Sequence, residues 1–172
     1  MADKILDILA VLDDESQAKL AKWYDNLVKE GFVGQQTKDI PYHVSLAIFD
    51  ADQEEEAVAL TKRLSQNFGT IPVHISHMGI FAGGRVLYGA PDMNPADLLS
   101  LREAVDVKTK EQFVWTPHVS ILMDEPDKIC EAVPFLIKDF RPFLGHITKL
   151  SLCEFWPTRE ILTVELKGKE ND

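Results

Sequence analysis

Apolar residues along this chain fall into short runs of two periods, and the alternation of those periods outlines its elements. Ile5 to Leu12 is a short apolar run with strand character at its end. Asp13-Asp14-Glu15-Ser16 then supplies the acidic and hydroxyl residues that suit a helix N-terminus. Ala18, Leu20, Ala21, Trp23, Tyr24, Leu27 and Val28 follow at helical spacing until Gly31. This predicts an amphipathic helix with Trp23 and Tyr24 in the core. A polar connection from Gly34 to Asp39, ended by Pro41, leads to a strand over Tyr42 to Phe49. A helix is predicted from Glu54 to Phe68, stopped by Gly69. Its run Glu54-Glu55-Glu56 lies where the helix dipole favours negative charge and reads as capping, not as metal ligands.

The second half repeats the alternation. Strands over 71–81 and 85–88 flank the hairpin signal Ala82-Gly83-Gly84, and Pro91 to Pro95 breaks the chain before a helix over 96–107. A strand over Pro117 to Met123, a helix from Pro126 to about Phe140 with Pro134 inside it, and strands over 147–156 and 160–166 complete the set. The tail Lys167 to Asp172 reads as a frayed end.

Two of these strands carry the same tripeptide, His43-Val44-Ser45 and His118-Val119-Ser120. Side chains alternate faces along a strand, so each His shares a face with its Ser. A shift of 75 that lays His43 on His118 also lays Asp52 on Asp127, Phe68 on Phe143, Ile75 on Leu150, Met78 on Cys153, Phe81 on Trp156 and Val86 on Ile161, without a gap. In both copies the strand after the helix changes the parity of its apolar residues, which predicts a bulge or a change of face at the same place in each half. The expectation is one domain over 1–172 made of two pseudo-symmetric lobes, about 1–90 and 91–172, with strands free to exchange between them. The two His-Val-Ser strands would then face one cleft.

A pair of His-x-Ser/Thr-x motifs, each followed by a hydrophobic residue, about half a chain apart and flanked by this order of strands and helices, resembles the two-histidine (2H) phosphoesterase superfamily. Within it the 2′-5′ RNA ligase-like, or cyclic phosphodiesterase, branch is the most similar, and the resemblance runs from the strand near Ile8 to the strand near Val164. It implies an α+β, duplicated, two-lobed fold in which antiparallel sheets form a central cleft with helices outside. It also implies hydrolysis of a 2′,3′-cyclic phosphate, or the reverse 2′-5′ ligation, with His43 and His118 as the motif histidines and Ser45 and Ser120 at the hydroxyl positions. Ser stands at both where many members have Thr. Members often add a base-stacking aromatic and a basic group near the phosphate, for which Phe81, Trp156 and Arg85 are the candidates.

That chemistry suits the residues. One neutral imidazole can take a proton from the attacking hydroxyl while a protonated one supplies the leaving oxygen, and two hydroxyls can hold the non-bridging oxygens. It calls for no metal and no cofactor. His74 and His77, three apart on a strand, point to opposite faces and do not form a joint metal site, and His146 reads as structural. Gly83-Gly84 lacks the Lys-Ser/Thr of a phosphate loop, and neither Ser has a local motif that would make it a nucleophile.

Composition narrows the partners. The chain has 172 residues, 45% of them apolar, enough for one domain with a sizeable core. No apolar stretch approaches the ~20 residues of a membrane span and the start is too acidic for a signal peptide, so a soluble, cytoplasmic protein is expected. Cys130 and Cys153 lack CxxC spacing and read as buried free thiols. A net charge of −10 without any compensating Lys/Arg cluster argues against tight binding to long nucleic acid. A small cyclic nucleotide or an RNA end bearing a 2′,3′-cyclic phosphate remains compatible. A second class, a catalytically degenerate 2H fold serving as a nucleotide- or protein-binding module, would be told apart by ligand uptake without turnover.

Overall fold

Asp13 closes the first strand and opens the first helix with one side chain, its Oδ1 accepting from Ser16 N at 2.8 Å and its Oδ2 from His146 N at 3.0 Å. The structure is a computed structural model that describes residues 4–111 and 114–168. In chain order the elements are β1 (Ile5–Leu12), α1 (Asp14–Lys29), β2 (His43–Asp50), a 3-10 turn (Ala51–Gln53), α2 (Glu54–Asn67), β3 (Ile71–Ile80), β4 (Val86–Pro91), α3 (Ala96–Glu103), β5 (Val119–Met123), α4 (Pro126–Asp139), β6 (Phe143–Phe155) and β7 (Arg159–Glu165).

All strands pair antiparallel in the order β2-β1-β6-β3-β4-β5, with β7 also on β6. The length of β6 makes the branching possible: its residues 147–155 pair with β1, 143–147 with β3 and 149–154 with β7. Under the shift of 75 the order reads the same from either end. β2 corresponds to β5, β3 to β6, and β1 and β4 hold equivalent places beside the two motif strands. In the sheet β1 lies between β2 and β6, and β4 lies between β3 and β5.

The run Ile5 to Leu12 is nearly continuously apolar because both of its faces are covered. Leu6, Ile8, Ala10 and Leu12 enter the main core under the helices, whereas Leu9 and Val11 join Cys153 and Phe155 in a second cluster on the opposite face. Asp7 shares that second face. His43 and Ser45 share it too, because they stand opposite Val11 and Leu9 in the register.

The motif strands each carry a bulge. Ser45 pairs with Leu9 and Ala47 with Ile8, which leaves Leu46 over; Ser120 pairs with Tyr88 and Leu122 with Leu87, which leaves Ile121 over. These are the same position one residue after each Ser. The inserted residue resets the parity, so that the motif faces the cleft while Val44 and Ala47, or Val119 and Leu122, stay buried. Of the bulge or change of face expected in the strands after the helices, irregularities are found in both, but not at matched residues. β3 bulges at Ser76 against β4, whereas β6 is irregular at Thr148 against β1 and shifts register between Leu152 and Cys153 against β7.

Other expectations are corrected as well. α3 stops at Glu103 and not at 107, because the chain turns back to pair with the edge of β2 through Lys110 N to Ile48 O, 2.7 Å. Trp23 is buried against Phe140 and Phe143, whereas Tyr24 packs on the same core only in part and reaches a cleft rim, its hydroxyl donating to Val33 O at 2.6 Å. Cys153 is buried and Cys130 is exposed on α4. The near end of the predicted fray is anchored, Lys167 N donating to Ser65 O and Gly168 N to Phe68 O, while 169–172 lie outside the described residues. No helix among the described residues is long and apolar enough to cross a membrane.

Candidate active site

β2 and β5 are the two edges of the sheet path, and two loops bring them together. Ahead of β5, Lys110 N donates to Ile48 O at 2.7 Å, and Ile48 N donates to Glu111 Oε1 at 3.1 Å. Ahead of β2, Gln35 N donates to Met123 O at 2.6 Å, and Met123 N donates to Gln36 Oε1 at 3.2 Å. The shift of 75 converts one set of bonds into the other, atom for atom. These reciprocal clamps satisfy edge groups that would otherwise be unpaired. Gly34 permits one of them: it has φ of +73°, and a Cβ there would lie 2.9 Å from Met123 O. The other is reinforced by Trp115 Nε1, which donates to Ser45 O at 2.9 Å, and by Arg102, which reaches Leu46 O, Glu111 Oε1 at 3.0 Å and the Trp115 ring.

Both motif histidines are oriented by the same device. His43 Nδ1 lies 2.7 Å from Pro41 O and His118 Nδ1 lies 2.8 Å from Thr116 O. A carbonyl can only accept, so each Nδ1 carries a hydrogen and each Nε2 is left to accept or donate a proton. Burial lowers the pKa of both imidazoles, opposed by these carbonyls, and the charge of His118 lowers that of His43 further. The two rings therefore feel each other.

Two recesses meet at the motifs. One, of about 390 Å³, is lined by His43 together with Ser120 and extends past Asp7 and Tyr24 to Trp156. The other, of about 610 Å³, is lined by Ser45 together with His118 and extends past Phe81 to Glu111 and Trp115. Each recess thus draws one residue from each motif.

The other sequence candidates separate. Phe81 stands at the second recess, its ring 4.6 Å from that of His118 and 4.6 Å from that of Tyr88. Tyr88 also meets His118, at 5.4 Å, and its ring occupies the space that a Cβ on Gly79 would need. Trp156 forms the far rim of the first recess, 61% exposed, its Nε1 donating to Thr37 Oγ1 at 3.0 Å. Arg85 lies apart from both recesses and makes a two-pronged pair with Glu125 at 2.7 and 2.8 Å. His74 pairs with Asp92 and His146 with Asp13, both away from the cleft.

Sequence reasoning missed Asp7. It is 8% exposed, accepts a hydrogen bond from Ser45 Oγ on Oδ2, and leaves Oδ1 buried with no partner among the described residues. Burial pushes its carboxyl up to about 7, against the lowering by Ser45 and with a further push from Glu111. The one acidic residue inside the apolar run of β1 was the available signal. Tyr88, Trp115, Gln36 and Glu111 were missed as well, because nothing local marks a residue that meets the site only through the sheet and its loops.

A family model described as the 2′-5′ RNA ligase superfamily matches residues 13–155. Among solved structures, LigT of E. coli in apo form is similar at 16% identity, covering 95% of this chain and 97% of that chain with a TM-score of 0.65. LigT complexed with ATP is similar at 18% identity, covering 95% and 98% with a TM-score of 0.66. TT0787 of Thermus thermophilus is similar at 14% identity, covering 96% and 100% with a TM-score of 0.64. At these identities the likeness shows a shared fold. No curated protein sequence matches the chain.

Proposed function

The chain belongs to the 2′-5′ RNA ligase superfamily, and from that premise we propose that it is a metal-independent 2H phosphoesterase that opens a 2′,3′-cyclic phosphate on a nucleotide or RNA end. Membership supports a phosphoesterase- or ligase-type activity; the substrate and residue roles are our reading. The observation that carries it is the crossed lining of the two recesses, His43 with Ser120 and Ser45 with His118. A phosphorus at their junction would have an imidazole Nε2 on either side.

In hydrolysis, neutral His43 takes a proton from water as the water oxygen bonds to phosphorus. His118 gives its proton to the ribose oxygen that leaves as its bond to phosphorus breaks. Repulsion between the two imidazolium charges acts on both rings, so the pair holds one proton more readily than two, and His43 is assigned the base because it is the more deeply buried of the two. Ser45 and Ser120 donate to the non-bridging oxygens, where charge accumulates. With a 5′-hydroxyl in place of water, the same transfers bond the 5′ oxygen to phosphorus as the 3′ ribose oxygen leaves, which joins a 2′-5′ linkage. Structures of LigT with 3′-AMP, NADP+ and ATP support a nucleotide as the ligand class. Phe81 and Trp156 offer ring faces on opposite arms of the cleft, and with Arg85 paired to Glu125 the serines become the main anion donors.

The test is turnover of the four nucleoside 2′,3′-cyclic phosphates in excess chelator, followed by phosphorus NMR. The expected result is a single monoester product and a bell-shaped pH profile. Burial lowers both imidazole pKa values, so the neutral base persists below the ordinary histidine range and the acid limb falls below pH ~6.5. Stoichiometric binding without turnover across the panel would overturn the enzyme reading in favour of a binding module.

A further inference from the structure

Ser45 and Ser120 occupy equivalent positions, yet only one of them touches a carboxyl. Asp7 stands two residues along β1 from Leu9, the partner of Ser45, and opposite Ile48; the equivalent place beside Ser120, two residues from Tyr88 and opposite Met123, is Val86. Among the described residues Ser120 has no carboxylate partner. The groups facing Asp7 are Ser45 from β2, Glu111 from the loop ahead of β5, Cys153 from β6, which is its register partner, and His43 in the shared recess. Lys38 and Asp39 line that recess as well; the Lys38 ammonium donates to Tyr24 Oη at 2.9 Å, and no cation is paired with Asp7 among the described residues.

We propose that Asp7 is a positioning residue that decides, by holding or losing a proton, whether Ser45 can donate to a bound phosphate. An ionised carboxylate can only accept, so it takes the Ser45 hydroxyl hydrogen and leaves oxygen lone pairs facing an anion. A protonated carboxyl donates its own hydrogen to Ser45 Oγ and releases the hydroxyl hydrogen toward the cleft. No bond other than these hydrogen bonds changes, and the proton comes from solvent. The unpartnered, buried Oδ1 supports this, because a lasting negative charge there would have no compensation. The carboxyl pushed up to about 7 places the change within the working range. Its sign is fixed: the donor-competent form prevails below that value and is lost as pH rises through it.

The inference rests on the reading of Ser45 as a phosphate donor, and sulfate tests it without turnover because its charge is constant from pH 5.5 to 8.5. Sulfate affinity would be measured by calorimetry at several pH values for the wild-type chain, Asp7→Asn, Ser45→Ala and the double variant. Between pH 6 and 8.5 the wild-type chain should lose about tenfold more affinity than Asp7→Asn, the scale of one charge-assisted hydrogen bond. In the Ser45→Ala background that excess should shrink severalfold, leaving only the direct effect of the Asp7 charge. An excess that persists undiminished without Ser45 overturns the proposal, as does a wild-type pH dependence that matches Asp7→Asn. Independently of any variant, the Asp7 carboxyl carbon should titrate between pH 6 and 8 by NMR, and a carboxylate still ionised at pH 5 would also overturn it. A chain that turns over no cyclic phosphate yet shows these sulfate effects would retain this inference while losing the proposed activity.

Discussion

The surroundings of His43 and of His118 agree in backbone and differ in charge. Both imidazoles are held by the carbonyl two residues earlier, both serines precede a one-residue bulge, and both edges are clamped by the same backbone bonds. The side chains around them are unlike. Where the His43 half has Leu9, Asp7 and Glu111, the equivalent places of the His118 half hold Tyr88, Val86 and Gln36. Repetition has kept the backbone contacts that hold the two rings. Divergence has placed a carboxyl against Ser45 and a tyrosine opposite Ser120, so that two identical tripeptides need not do identical work.

The largest effect should come from the shared part. His43→Ala and His118→Ala should each lower kcat by about 10³-fold or more, the scale of losing one positioned acid or base, with the far-ultraviolet spectrum unchanged. Similar losses from both would express the symmetry; activity surviving either change would break it. A large effect is expected next from the unshared part, on stability. The folded pKa of Asp7, about 7, lies above its unfolded value, so its neutral form contributes stability that is full below about pH 4 and is lost as pH rises through 7. Denaturant unfolding should therefore show the stability of Asp7→Asn gaining on the wild-type chain by about 3–4 kcal/mol between pH 4 and pH 8. A gap that does not change with pH would place Asp7 in an ordinary carboxylate environment. The smallest effect separates the serines. Ser120→Ala should cost about a hundredfold in kcat/KM at any pH, as loss of one oxyanion donor does, whereas Ser45→Ala should cost as much at pH 6 and severalfold less at pH 8.5. Equal losses at both pH values would make the halves equivalent after all.

How much of this the chain discloses beforehand depends on whether the determinant is local. Strands and helices were legible because period and stop signals reside in neighbouring residues, as in Asp13 with Ser16 or the glycines after the helices. The family was legible because two copies of one tripeptide stood in one frame. The bulges at Leu46 and Ile121 were not, since a bulge is defined by the partner strand and the residues after each Ser are continuously apolar, so no change of parity shows. The extent of α3 was misjudged because Val105 and Val107 continue a helical pattern that the return to Ile48 overrides. Arg85 looked available for phosphate because Glu125 is forty residues away in the chain. Asp7 was visible as the one acid in an apolar strand, but its meaning required Ser45 beside it.

The central claim is that the two motifs make one site, and the imidazole Nε2 nitrogens report on it directly. Titrating ¹⁵N-histidine-labelled protein with a nucleoside 2′-monophosphate should move the Nε2 signals of His43 and His118 together, along one curve that saturates at one equivalent. A curve on which only one ring responds, or on which the two saturate at separate equivalents, would contradict it.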